Sequence, residues 1–200
     1  MRTKDNLNTV LKTLKDQKEW SEVIKYSPCG KYLGVGSHDN FIYIYDVSQD
    51  YSVYAKFDKH NSFITAFDWS ADSTYIRSIC GAYEKLYYNV SNKEFDNNGM
   101  SNTKSLVWAS NSIKKGWDVE GVRPLSEDGT HINSIDVSQD QKLIATSDDF
   151  GLLNIYRYPC MSVKHKARSY GGHSEHVVRA RFTPQADRIF TIGGYDKAVI

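Results

Sequence analysis

Apolar residues recur at every second position over short runs in this chain, and clusters of Ser, Asp, Gly and Asn separate the runs. Alternation of that period predicts half-buried strands, and the clusters predict tight turns. Four stretches share one grammar: EVIKYSPCGKYLGVGSHDNFIYIYDV (22–47), ITAFDWSADSTYIRSICGAYEKLYYNV (64–90), INSIDVSQDQKLIATSDDFGLLNIYRY (132–158) and VVRARFTPQADRIFTIGGYDKAVI (177–200). In each, a first strand ends on Tyr26, Trp69, Val137 or Phe182 and a Ser or Thr opens a polar turn (SPCG, SADS, SQDQ, TPQA). A second apolar strand follows (YLGVG, YIRSI, LIATS, RIFTI), then another turn and a third strand of alternating large residues.

The four anchors lie 43, 68 and 45 residues apart. A blade of the WD-repeat propeller occupies about 40–45 residues, so the outer gaps hold one blade each and the middle gap one blade plus about 25 residues. The predicted fold is therefore all-β: a WD-repeat β-propeller segment of about four blades, each a four-stranded antiparallel sheet, with repeats near 19–57, 60–109, 128–171 and 173–200. The insertion falls in residues 91–129; its Asn/Gly/Ser-rich first part predicts a flexible loop, and SLVWA predicts a fourth strand. The final repeat reaches Ile200 within its third strand, and NTVLKTLK would serve as an outer strand of a preceding blade, although Leu7, Val10, Leu11 and Leu14 also fit a helical stripe. Both features point to part of a larger propeller; closure of the last blade by the N-terminal strand is the alternative.

The Gly-His element of WD repeats is best developed at Gly171-Gly172-His173 and weaker at Lys59-His60, while Gln17 and Asp128 take its place elsewhere. Its Trp-Asp counterpart is replaced by Tyr45-Asp46, Tyr88-Asn89 and Tyr156-Arg157. Asp39 and Asp196 stand at the turn position that completes a buried His–Asp–Ser/Thr network, whereas Phe150 stands there in the third repeat. An unsatisfied buried polar group costs about 1–3 kcal/mol, so His60, His173, Asp39 and Asp196 read as structural.

At a formal net charge of +1, the chain lacks the basic excess of a nucleic-acid binder. Three widely spaced cysteines, Cys29, Cys80 and Cys160, predict neither a disulfide framework nor a zinc site and fit a reducing compartment. No stretch approaches the roughly 20 apolar residues of a membrane helix, and the first twenty residues do not read as a signal peptide. No GxSxG elbow, phosphate loop or dinucleotide fingerprint is present, and His173 and His176 lack further ligands at metal-binding offsets. The reading is thus of a non-enzyme without cofactor or metal, binding neither nucleic acid nor membrane. Asp148-Asp149 read as a solvated turn; Lys114-Lys115 and the Lys164, His165, Lys166, Arg168 run are the local basic clusters. Loops on a rigid scaffold commonly carry recognition. The second turns therefore supply the candidate partner-binding residues: His38, Asp39, Asn40, Tyr83, Glu84, Asp148, Asp149, Phe150 and Tyr195, with packing into neighbouring loops as the alternative role.

EWSEVIKYSPCGKYLGVGSHDNFIYIYDV resembles a segment of the echinoderm microtubule-associated protein-like family, with Cys29 where that family tends to carry Asp. ATSDDFGLLNIYRYP, GGHSEHVVRARF, TIGGYDKAVI and LVWASNSIKKGWDVEGVRP are similar to further segments of it, so the resemblance spans about residues 19–200. It implies a place in the C-terminal WD-repeat region of a tandem propeller, with tubulin or microtubules as partner, influence on microtubule organisation, and a cytoplasmic, cytoskeletal location. A general WD scaffold for a different protein complex is the competing reading.

Overall fold

The computed structural model describes residues 10, 12–123, 131–162 and 165–200. Asn8, Thr9 and Leu11 of the predicted N-terminal strand, with Leu7, Asp128 and Lys164, lie outside these; Val10 makes a β-bridge and residues 12–15 form no strand. The chain divides into two compact units, Met1–Val107 and Trp108–Ile200.

In the first unit, β1 (Ser21–Tyr26), β2 (Tyr32–Ser37), β3 (Ile42–Asp46) and β4 (Ser52–Phe57) form one antiparallel sheet in chain order. A second sheet follows with the same order: β5 (Ile64–Trp69), β6 (Tyr75–Cys80), β7 (Lys85–Asn89) and β8 (Glu94–Phe95). In the second unit, β9 (Ile132–Val137), β10 (Leu143–Asp148), β11 (Leu153–Arg157) and β12 (Arg168–Tyr170) make a third four-stranded sheet. There β13 (Val177–Phe182) pairs with β14 (Ile189–Gly193), and the third strand of that blade is present as the single bridge Ile192–Val199. The fold is a β-propeller segment, and each predicted anchor is the last residue of a first strand: Tyr26, Trp69, Val137 and Phe182.

A blade has two faces, and strands buried on both must be apolar or internally paired. β3 is buried at every position, IYIYD, and β6 at all but its first. Ile42, Ile44, Ile64, Phe67, Trp69, Ile76 and Tyr88 form one core of the first unit; Leu33, Val35, Tyr43 and Tyr45 form another. The glycines of β2 permit this closeness, since a Cβ at Gly34 would lie 2.8 Å from Phe67 and one at Gly36 2.7 Å from Ile64. In the second unit, Val119, Val122, Ile132, Ile135, Ile144 and Cys160 cluster. Tyr45 and Tyr88 are fully buried plugs, whereas Tyr156 is only partly covered.

Blades touch through their first strands, β1 against β5 and β9 against β13. The penultimate residue of such a strand carries the polar link. Asp68, wholly buried, accepts from Lys25 Nζ of the preceding blade at 2.9 Å and from Arg77 Nη2 at 3.2 Å. Asp136 accepts from the Phe182 N–H of the following blade at 2.8 Å and pairs with Arg181 at 3.7 Å.

The first turns repeat one device. Gly30, Ser73, Gln141 and Ala186 each donate a backbone N–H at 2.9 Å to the carbonyl of Ser27, Ser70, Ser138 and Thr183, and each has positive φ.

The insertion departs from expectation in two places. The segment predicted as a flexible loop contains α1 (Gly99–Asn102), held by Asp96, which accepts from Asn102 Nδ2 at 2.8 Å and from Tyr75 Oη at 3.0 Å. The fourth strand of the second blade is β8, not SLVWA: the Phe95 ring packs on Tyr88, while the Val107 carbonyl accepts from the Ala71 N–H at 2.8 Å. In the second unit the insertion continues as cover for the third blade, where Asp118 accepts from Tyr158 Oη at 2.7 Å. Lys114, read as part of a surface basic pair, donates to the Ile132 carbonyl at 2.6 Å. No helix among the described residues is long and apolar enough to cross a membrane.

Candidate functional site

The second turns are fixed to their own blades by one repeated hydrogen bond. The N–H groups of His38, Gly81, Asp149 and Gly194 donate to the carbonyls of Trp20, Phe63, His131 and His176 at 2.9, 2.9, 3.1 and 3.0 Å. These acceptors all precede a first strand, and all four are ring-bearing. Three stand beside a ring of their own turn: Trp20 beside His38 (3.9 Å between centroids), His131 beside Phe150 (5.6 Å) and His176 beside Tyr195 (5.5 Å). Phe63 stacks instead on His38, at 4.5 Å. The sequence reading missed Trp20, Phe63, His131 and His176, although their constant offset just ahead of each first strand was a usable signal.

Candidate aromatics and candidate acids occupy different surroundings. Tyr195 is 82% exposed, Phe150 70% and Tyr83 44%. Phe150 borders a recess of about 260 Å³ lined also by His131, Asp148, Asn154 and Tyr156. Asp149 is exposed and accepts from Asn133 Nδ2 at 3.0 Å. Asn40 is half-buried with φ 73°, a conformation Asn tolerates better than most residues. His38 lies between Trp20 and Phe63 with Nε2 3.4 Å from Glu22.

Asp39, Glu84 and Asp148 are committed within the chain. Asp39 accepts from the Lys18 N–H at 2.9 Å, the Phe41 N–H at 3.2 Å and Tyr43 Oη at 2.8 Å. Burial works against its ionisation, but these donors outweigh it and hold the carboxyl below the usual carboxylate range. Glu84 is held low chiefly by the side-chain and backbone N–H groups of Asn61, at 2.9 and 3.2 Å. Asp148 accepts from the N–H groups of Phe150 and Leu152 and from Asn154 Nδ2. The turn acid that Phe150 had displaced in the third repeat is thus supplied by Asp148.

The network residues differ between blades. His173 is satisfied on both nitrogens, with Nδ1 2.8 Å from Asp196 and Nε2 2.8 Å from Thr191. The Ala198 N–H, then His173, hold the Asp196 carboxyl below its ordinary range. His60, buried, meets Ser78 Oγ through Nε2 at 2.7 Å. Burial pushes its pKa down to about 4, so its ring is neutral near pH 7. In the first blade, Gln17 Nε2 donates to Tyr45 Oη at 2.5 Å. Rigid turns with exposed aromatic tips suit protein recognition more than bond-making chemistry.

The family described as the echinoderm microtubule-associated protein second β-propeller matches residues 1–200. The ciliary WD repeat-containing protein ctxp80 of Euplotoides octocarinatus is 49% identical over 98% of this chain and 27% of its own length. Human echinoderm microtubule-associated protein-like 3 is 41% identical over 92% of the chain and 21% of its own length. The 77 kDa echinoderm microtubule-associated protein of Lytechinus variegatus is 39% identical over 90% of the chain and 28% of its own length. The chain therefore spans about a quarter of these relatives. Among solved structures, the β-propeller domain of Myceliophteria thermophila Cps50 (Swd1) superposes with a TM-score of 0.66 at 14% identity, covering 92% of this chain and 65% of that one; this likeness speaks to fold alone. With the repeated blades, the matched profile and these relatives together, the chain belongs to the echinoderm microtubule-associated protein family.

Proposed function

We propose that this chain is a non-catalytic interaction segment whose rim turns dock on tubulin within a cytoplasmic, microtubule-associated protein. Family membership carries the reading, because relatives across most of this chain are named for microtubule association. The rim supports it physically. Exposed aromatics on a preorganised backbone bury large areas with little loss of conformational freedom, and such residues dominate binding hot spots. Phe150 and Tyr195 are the docking anchors; Asp39 and Asp148 shape the turns that present such side chains.

Sedimentation of the purified chain with taxol-stabilised microtubules, alongside size exclusion with free tubulin, tests the reading. The wild-type chain is expected to bind in at least one format. The Phe150→Ala/Tyr195→Ala variant, altered only at exposed side chains, should bind about 30-fold more weakly, equivalent to a hot-spot loss of about 2 kcal/mol. A wild-type chain that binds neither form rejects tubulin docking. Equal binding by the double variant rejects the rim.

A further inference from the structure

The second and fourth blades carry the same network position with different chemistry. Cys80 and Gly193 each end a second strand, opposite the first residue of the neighbouring first strand, Ile64 or Val177. Glycine is required in the fourth blade: a Cβ at Gly193 would lie 1.8 Å from Asp196 Oδ1 and 2.5 Å from His173 Nδ1. In the second blade that space is taken by the Cys80 side chain. The carboxylate, now on the longer Glu84, stands back at 3.9 Å from His60 Nδ1 instead of 2.8 Å. His60 Nδ1 is buried and has no hydrogen-bond partner among the described residues, and its side chain is 1% exposed. What it faces is a thiol and a carboxylate. Cys80 Sγ lies 3.7 Å from Glu84 Oε2, and the nitrogen, sulfur and oxygen atoms all fall within 4.8 Å of one another.

We propose that His60, Cys80 and Glu84 form a binding site for a divalent cation of the zinc class, with water as fourth ligand. One imidazole nitrogen, one thiolate sulfur and one carboxylate oxygen make a borderline-soft donor set; calcium and magnesium favour oxygen alone. Bonds of about 2.0–2.3 Å to a tetrahedral ion draw donors to about 3.5 Å apart. The required closure falls mainly on Glu84, whose side chain is 35% exposed and which would exchange its hydrogen bonds from Asn61, at 2.9 and 3.2 Å, for the metal bond. The tautomer with its proton on Nε2, donated to Ser78 Oγ at 2.7 Å, turns the Nδ1 lone pair toward the cluster, and Ser78 then orients the ring from behind. On binding, the Sγ–metal bond forms as the thiol proton leaves to solvent; thiolate and carboxylate together neutralise the dication. The ion would brace the turn bearing Tyr83, whose N–H already donates to the Cys80 carbonyl at 2.9 Å. The site stands independently of any tubulin docking.

The test uses the reduced chain, stripped with chelator and titrated with Co2+ as a visible substitute for Zn2+. One Co2+ per chain is expected, with a thiolate-to-cobalt charge-transfer band that Zn2+ abolishes. Cys80→Ser should remove the band, Cys29→Ser should leave it intact, and Glu84→Gln should weaken binding at least about tenfold. Because single changes in a buried network can unfold it, Cys80→Gly/Glu84→Asp is the second variant. It places the Gly and Asp of the fourth blade on a turn one residue longer and should keep the wild-type circular dichroism spectrum while binding no Co2+. Absence of a band in the wild-type chain, or a band surviving in either Cys80 variant, overturns the site.

Discussion

At the scale of single residues, this propeller segment spends charge where blades meet. Asp68 is wholly buried between Lys25 and Arg77, whose side chains are 21% and 9% exposed. Removing one member of a buried ion group costs about 3–5 kcal/mol, because the remaining charges keep their desolvation penalty. Asp68→Asn should therefore lower the urea midpoint sharply, and Asp68→Leu combined with Arg77→Met should cost less than Asp68→Asn alone. A midpoint within error of wild type for Asp68→Asn would show that water screens the cluster. Asp39 has a pH signature. Its folded pKa lies below its unfolded value, so the unfolded chain takes up the proton first on acidification. The stability Asp39 contributes is full above the ordinary carboxylate range near 4 and is lost as pH falls through the lowered folded value. Asp39→Asn should thus destabilise the chain at pH 7, and the difference from wild type should shrink below about pH 4. A gap that stays constant from pH 7 to pH 3 would contradict this.

At the scale of elements, the first turns place non-glycine residues in left-handed conformation at Ser73 (φ 63°), Gln141 (φ 56°) and Ala186 (φ 56°); only Gly30 avoids the Cβ penalty. Gln141 is exposed, so Gln141→Gly should raise stability by about 1 kcal/mol in denaturant unfolding. Ser73→Gly should gain less or lose, because Ser73 Oγ accepts the Cys29 N–H of the preceding blade at 3.1 Å. Equal gains would mean that bond contributes nothing. These turns were legible in the sequence because turn chemistry is local: Ser or Thr, then polar residues, after an alternating strand. What was not legible depended on tertiary context. β8 has two residues and no periodicity, and it is set by Phe95 finding Tyr88. SLVWA carries an apolar pattern yet leaves Val107 67% exposed. Among the rim candidates, the aromatic residues are as accessible as their turn positions suggested. The role of Asp148 was hidden because the compensating acid sits two residues before Phe150, the position read as having lost it.

At the scale of the whole molecule, a net charge of +1 separates two modes of recruitment. Attachment led by a basic surface is screened by salt, with a Debye length of about 10 Å at 0.1 M and about 3 Å at 1 M. The proposed docking by Phe150 and Tyr195 would depend on apolar burial and should persist. The proposed microtubule binding is expected to change less than about threefold between 50 and 150 mM salt, far short of the 10³–10⁵-fold losses of polyelectrolyte binders over a similar range. Loss of binding at 150 mM would move the contact to residues such as Lys166 and Arg168.

The outer strands are uneven: six residues in β4, two in β8 and three in β12. An outward backbone edge can template the addition of a foreign strand, and short or lysine-bearing edges suppress this. β8 and β12 are too short to offer a ladder, and the longer β4 carries Lys56. In these three blades the outer edge is thereby made unsticky, so neighbouring copies can lie against those edges without their sheets knitting into one another.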